Sequence, residues 1–117
     1  MNVSFNSIMI YAKNMKETSD FYVKHFELNA VEKDSLIILS DKNQQEKIII
    51  HQSAKSVKMG QVCVKLVFSV PDVEKFKKNA RKNGLIFGTS HKGKGYLFAN
   101  AKDPCKNNIS ISSREYT

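Results

Sequence analysis

The sequence predicts an α+β fold made of two tandem βαβββ modules, and three observations predict it. Ile8-Met9-Ile10-Tyr11-Ala12-Lys13-Asn14 lies over Leu66-Val67-Phe68-Ser69-Val70-Pro71-Asp72, so an apolar extended run twice leads to a residue able to cap a helix. A helical segment of about three turns and then further short strands follow each cap. Between the copies, residues 53–60 (Ser-Ala-Lys-Ser-Val-Lys-Met-Gly) are polar and aperiodic, as a linker is. The modules run over about 6–52 and 62–113 and form one domain.

Each element has a local cause. Ser7 to Ala12 is short, apolar and rich in β-branched and aromatic residues, which suits a strand. Asn14 offers a side-chain oxygen to the first helical turn, and Glu17 stands where it can reach back to the cap. From Met15 to Phe26 the residues Met15, Thr18, Phe21, Tyr22, Val23 and Phe26 form one broad stripe that packs on a sheet. Strands follow at 28–31, 35–39 and 47–51, with polar connections at Asp34 and at Asp41-Lys42-Asn43.

The second copy opens with a strand over Val62 to Val70, and Pro71 ends it. Asp72 caps the next helix, and Gly84 supplies the left-handed residue beyond its end. Strands are predicted at Leu85-Ile86-Phe87, Gly95 to Ala99 and Asn108 to Ser112. The last is entered through a tight connection, Asp103-Pro104-Cys105-Lys106-Asn107.

Composition excludes several classes. A chain of 117 residues that is 41% hydrophobic can bury one core without staples. Cys63 and Cys105 match no metal or redox spacing, and no charged-then-apolar leader precedes the first strand, so the expected compartment is a reducing cytoplasm. No apolar run approaches the ~20 residues a membrane span needs. The net charge of +8 gathers on Lys75, Lys77, Lys78, Arg81 and Lys82, and again on Lys92, Lys94, Lys102 and Lys106. Positions 75, 78 and 82 share a face opposite 73, 76 and 80, so these lysines read as a solvated face. No stacking aromatics interleave with them, which argues against a nucleic-acid partner, while a long-range bias toward anionic small molecules remains.

Three motifs together carry a family resemblance: Asn14 with Phe21-Tyr22, Phe68-Ser69-Val70-Pro71-Asp72-Val73 leading to Gly84, and Asp103-Pro104-x-x-Asn107-x-Ile109-x-Ile111. In order and spacing they resemble the vicinal oxygen chelate superfamily of glyoxalase I, bleomycin resistance proteins, extradiol dioxygenases and fosfomycin resistance proteins. The resemblance implies curved mixed sheets enclosing a common cavity, often completed by a second subunit, and hence a homodimer. It also implies metal ligands at the places held here by Ser7, Lys65 and Ser110. A lysine ammonium has no lone pair to give and repels a cation. The usual ending of the family departs here at Cys105, Lys106 and Ser110, the last of which replaces a ligating glutamate. No metal and no cofactor are therefore expected.

The three histidines do not restore a metal site. His25 reads as a helix-end residue favoured by the helix dipole, and His91 as a solvated loop residue. His51 ends the last strand of the first module, near where glyoxalase I-like members carry a further ligand, but one histidine is not a site.

Strand alternation nominates a pocket of Ser7, Met9, Tyr11, His51, Lys65, Val67, Phe98 and Ser110, with Asn108 and Ser112 on the last strand's matching face. Lys65 has two readings: an ammonium awaiting a carboxylate, a phosphate or an aromatic face, or a snorkelling side chain that pairs with a protein carboxylate such as Glu32 or Glu46. The expected function is metal-free binding of a small anionic or aromatic organic molecule. The alternative is an enzyme of the same superfamily that uses Lys65, His51 or Tyr11 as acid, base or electrostatic stabiliser. Nothing assigns a catalytic residue.

Overall fold

A computed structural model of the chain describes residues 2, 5–43, 46–61 and 64–116, with the side chains of 46 and 47 outside the description. It divides into two compact units, 1–57 and 58–117. In the first, β1 (Ile8–Ala12) leads to α1 (Met15–Phe26) and then β2 (Asn29–Lys33), β3 (Leu36–Ser40) and β4 (Glu46–Gln52). In the second, β5 (Lys65–Ser69) leads to α2 (Val73–Lys82), β6 (His91–Lys92), β7 (Leu97–Lys102) and β8 (Asn108–Ser112), followed by a short 3₁₀ turn, Arg114–Tyr116. The strand orders β1-β4-β3-β2 and β5-β8-β7-β6 are the same plan twice. Each first strand runs parallel to its module's last, and every other pairing is antiparallel.

The caps form as their residue types require. Asn14 Oδ1 accepts from Glu17 N at 2.9 Å and Asp72 Oδ1 from Lys75 N at 3.0 Å, each relieving a main-chain donor in the first turn. Alternation in the first sheet sends Ile10, Ala12, Ile37, Leu39, Ile48 and Ile50 into the core with Thr18, Ser19 and Tyr22 of α1. Val23 is exposed, so the buried stripe of α1 is narrower than the sequence implied and turns through Ser19 instead. In the second unit Val73 and Ala80 bury while Lys75, Lys78 and Lys82 stay in water. Asp34 and Ser35 both have positive φ, 52° and 66°, the twist that joins β2 to β3 in a two-residue hairpin.

The strand expected at Leu85-Ile86-Phe87 does not form. Leu85 N donates to Ala80 O at 2.9 Å, closing the end of α2, and Gly84 takes a φ of 93°. Leu85 and Phe87 are buried and Ile86 is exposed, with the Phe87 ring edge-on to Phe76 at 6.0 Å. Alternation was thus legible there, but the segment anchors beneath α2, joined to β7 through Gly88 N to Asn100 O at 2.9 Å. The module's second strand is His91–Lys92, where the sequence implied a loop. The strand expected over 62–70 is the shorter Lys65–Ser69; Val62 and Cys63 lie outside the described residues. Among the described residues, no helix is long and apolar enough to cross a membrane.

Candidate functional site

The sheet face of the first unit turned away from α1 carries Met9 and Tyr11 on β1, beside Ile49 and His51 on β4. Met9 and Tyr11 are 42% and 52% exposed, large values for apolar side chains in a sheet. Tyr11 and His51 are direct partners in the ladder, their rings 5.2 Å apart and tilted by 51°. His51 Nδ1 lies 2.7 Å from Gln52 O. A carbonyl can only accept, so Nδ1 carries the hydrogen and a neutral ring keeps its lone pair on Nε2. Ser7 stands just before β1 and its hydroxyl donates to Asn6 Oδ1 at 2.7 Å.

In the second unit the strand order produces a trough. β8 lies between β5 and β7, and it presents Ser110 and Ser112, small side chains that make a floor. Lys65, Val67 and Ser69 on β5 make one wall, and Phe98 and Tyr96 make the other. The cavity measures about 400 Å³, within the range of small-molecule pockets, and Arg114 and Glu115 of the 3₁₀ turn stand at its end. Lys65 Nζ lies 5.5 Å from the centre of the Phe98 ring and donates to Asn100 Oδ1 at 3.1 Å. Among the described residues no carboxylate, Glu32 included, pairs with it, and the side chain of Glu46 lies outside the description; its acceptor is a neutral amide. Arg114 faces the Tyr96 ring at 6.0 Å, so each aromatic wall residue meets a cation.

Of the eight residues nominated by alternation, Lys65, Val67, Phe98 and Ser110 come together around this trough. Met9, Tyr11 and His51 share the first unit's outward face, with Ser7 at the foot of β1. Ser110 is 1% exposed and donates its hydroxyl hydrogen to Ala99 O at 3.0 Å, so it shapes the floor. Ser69 and Tyr96 were reachable by extending the alternation from Val67 and from Phe98. Arg114 and Glu115 had no sequence signal, because they follow the last strand in a turn without periodicity.

The donor set at the three positions the resemblance implies for a metal does not fit a divalent cation. Lys65 brings a positive charge, and Ser7 and Ser110 bring only neutral hydroxyls, with no carboxylate, imidazole or thiolate among the three. Among the described residues, no three His, Cys, Asp or Glu side chains gather into a cluster. His25 lies in the last turn of α1, as its helix-end reading has it, but it is half-buried there: burial first, and the neighbouring Lys24 second, push its pKa below the usual 6.5. His91 is exposed, yet its ring lies 5.2 Å from that of Phe98 and extends the row of rings along the trough wall.

The sequence pattern of the Glyoxalase/Bleomycin resistance protein/Dioxygenase superfamily matches residues 4–111. No protein of curated function matches the sequence. Among solved structures, the chain is similar to UcmS2 at 14% identity and a TM-score of 0.79, covering 97% of this chain and 99% of that one. It is also similar to a lactoylglutathione lyase from Agrobacterium tumefaciens, at 17% identity and a TM-score of 0.72 over 95% and 93% of the two chains. The fosfomycin resistance protein FosX from Listeria monocytogenes matches at 11% identity and a TM-score of 0.76 over 96% and 93%. At these identities the likeness is one of fold.

Proposed function

Because the chain belongs to the Glyoxalase/Bleomycin resistance protein/Dioxygenase superfamily, we propose that it binds a small anionic or aromatic organic molecule, without a metal, as a cytoplasmic homodimer. The two modules form one domain, and the trough of the second module is the recognition face. Neither nucleic acid nor membrane is a partner. One observation carries the reading: a lysine ammonium, Lys65, on an aromatic-walled cavity of about 400 Å³, with a neutral amide as its acceptor. A cation so placed keeps most of its charge for an incoming anion, and the net charge of +8 steers anions toward the protein.

Calorimetric titration with a panel of small aromatic and anionic compounds tests this, on the wild type and on Val67→Glu. Val67 is 58% exposed, so the substitution leaves the core intact while filling the trough and answering the Lys65 charge. The reading expects the wild type to bind and the variant to lose that binding. Binding left intact in the variant, or absent from the wild type, would refute it. Elemental analysis together with mass in solution tests the remainder: near-stoichiometric zinc, nickel, iron or manganese would overturn the metal-free assignment, and a monomer the dimer.

A second reading, an enzyme of altered chemistry, draws on His51. Its tautomer is set by Gln52 O, which leaves Nε2 on the exposed side of β4 beside Tyr11 as a candidate proton acceptor. Ligand turnover lost in His51→Gln, with affinity retained, would favour this reading over simple binding.

A further inference from the structure

We infer that the ligand is a planar aromatic monocarboxylate, oriented with its carboxylate on Lys65 and its ring between the trough walls. This rests on the second-module trough being the binding site, and it names the class of molecule that trough accepts.

The cross-section requires a flat body. Adjacent strands lie about 4.8 Å apart, so β5 and β7 straddle β8 by roughly twice that, and their side chains narrow the gap to a slot. On one side stand Phe98 of β7 and Tyr96 just before it, whose ring centres are 6.3 Å apart and whose planes differ by 38°. On the other stands Val67, an apolar side chain left 58% exposed. Serines at the floor leave depth that a larger residue would fill. A slot with aromatic surface along one wall and an aliphatic one opposite favours an aromatic slab over a globular aliphatic group.

The charge distribution along the slot orients that slab. Lys65 donates to the neutral Asn100 amide, so a carboxylate that displaces this acceptor turns an ammonium-to-amide hydrogen bond into an ion-paired one. At the other end Arg114 is accompanied by Glu115, so the two signs offset each other and a second carboxylate gains little there. One anionic group, at the Lys65 end, is what the trough accommodates.

The test is titration at low salt with 2-naphthoate, the neutral 2-naphthalenemethanol and naphthalene-2,6-dicarboxylate. Wild type should bind the naphthoate about tenfold more tightly than the alcohol, the worth of one charge-assisted bond at a partly exposed site. Lys65→Met should erase that difference while leaving the alcohol's affinity in place, and Phe98→Leu should weaken both. Raising the salt should weaken the naphthoate and spare the alcohol. Equal binding of naphthoate and alcohol by the wild type, or a difference that survives in Lys65→Met, overturns the inference while the trough stands as a binding site. Tighter binding of the dicarboxylate overturns the assignment of a single anion. Failure of every naphthalene to bind sinks the inference together with the reading on which it rests.

Discussion

Replacing Asp103 tests whether one carboxylate organises the connection that delivers β8, the floor of the trough. Asp103 is 4% exposed. Its Oδ1 accepts from Cys105 N and Asn107 N, both at 2.8 Å, and its Oδ2 accepts from Asn107 Nδ2 at 2.9 Å. The main chain folds back on itself through Lys106 N to Asp103 O and Asp103 N to Asn107 O, each 3.0 Å, with Lys106 held at a φ of 64°. Alanine removes both side-chain oxygens, and with them three hydrogen bonds, and strands two main-chain donors, one on the buried Cys105. At about 1–3 kcal/mol for each unsatisfied buried group, and with partial relaxation, Asp103→Ala should cost about 3–4 kcal/mol. Asp103→Asn keeps Oδ1 as an acceptor but sets one amide NH₂ against another, so it should cost about 1–2 kcal/mol. Urea unfolding followed by circular dichroism reads this directly, with the midpoint for alanine falling by about 2 M and that for asparagine by less. An alanine variant within about 0.5 kcal/mol of wild type would refute the reasoning, because changes that small are typical of surface positions with no such role. Asparagine as damaging as alanine would refute the role given to Oδ1.

The Gly93→Ala variant should be destabilised by about 1 kcal/mol, or roughly 5 °C in Tm, because the added Cβ would fall under 3.0 Å from three atoms of the Tyr96 ring. The φ of Gly93 is not positive, so the backbone accepts alanine, and the cost should vanish in a Tyr96→Leu background by double-mutant cycle. His25 titrates below its unfolded value of 6.5, so the unfolded chain binds the extra proton first; its contribution is complete above 6.5 and is lost as pH falls through the folded pKa. The stability gap between wild type and His25→Gln should therefore narrow from pH 7.5 to 5, and a gap that widens would contradict the burial of that ring. Asp72→Ala should lose about 1 kcal/mol in thermal unfolding as the bond to Lys75 N disappears, and Asp72→Ser should restore most of it.

Where the responsible forces are short in range, structure and sequence agree closely. α1 spans Met15–Phe26, the helix read from its cap and stripe, and β8 spans Asn108–Ser112, the strand read from its alternation and the turn before it. Asn14 and Asp72 bond donors three residues away, so their effect needs no partner distant in the chain. Leu85-Ile86-Phe87 shows the boundary of that reasoning. Its buried-exposed-buried alternation is that of a strand, but Leu85 N was claimed by Ala80 O, and pairing passed to His91 and Lys92. Whether an extended segment joins a ladder depends on which acceptors the rest of the fold leaves open, and periodicity carries no information about that.

Local sequence sets the repeated βαβββ order, the caps and the face each strand presents. Tertiary structure decided what those faces enclose. The trough exists because β8 comes between β5 and β7, which sets small serines between a lysine-bearing wall and an aromatic one. Arg114 and Glu115 reach its end through a turn with no periodic signal. Caps and alternation arise from backbone geometry over a few residues, whereas a cavity arises from side chains far apart in the chain that meet only after the strands have paired.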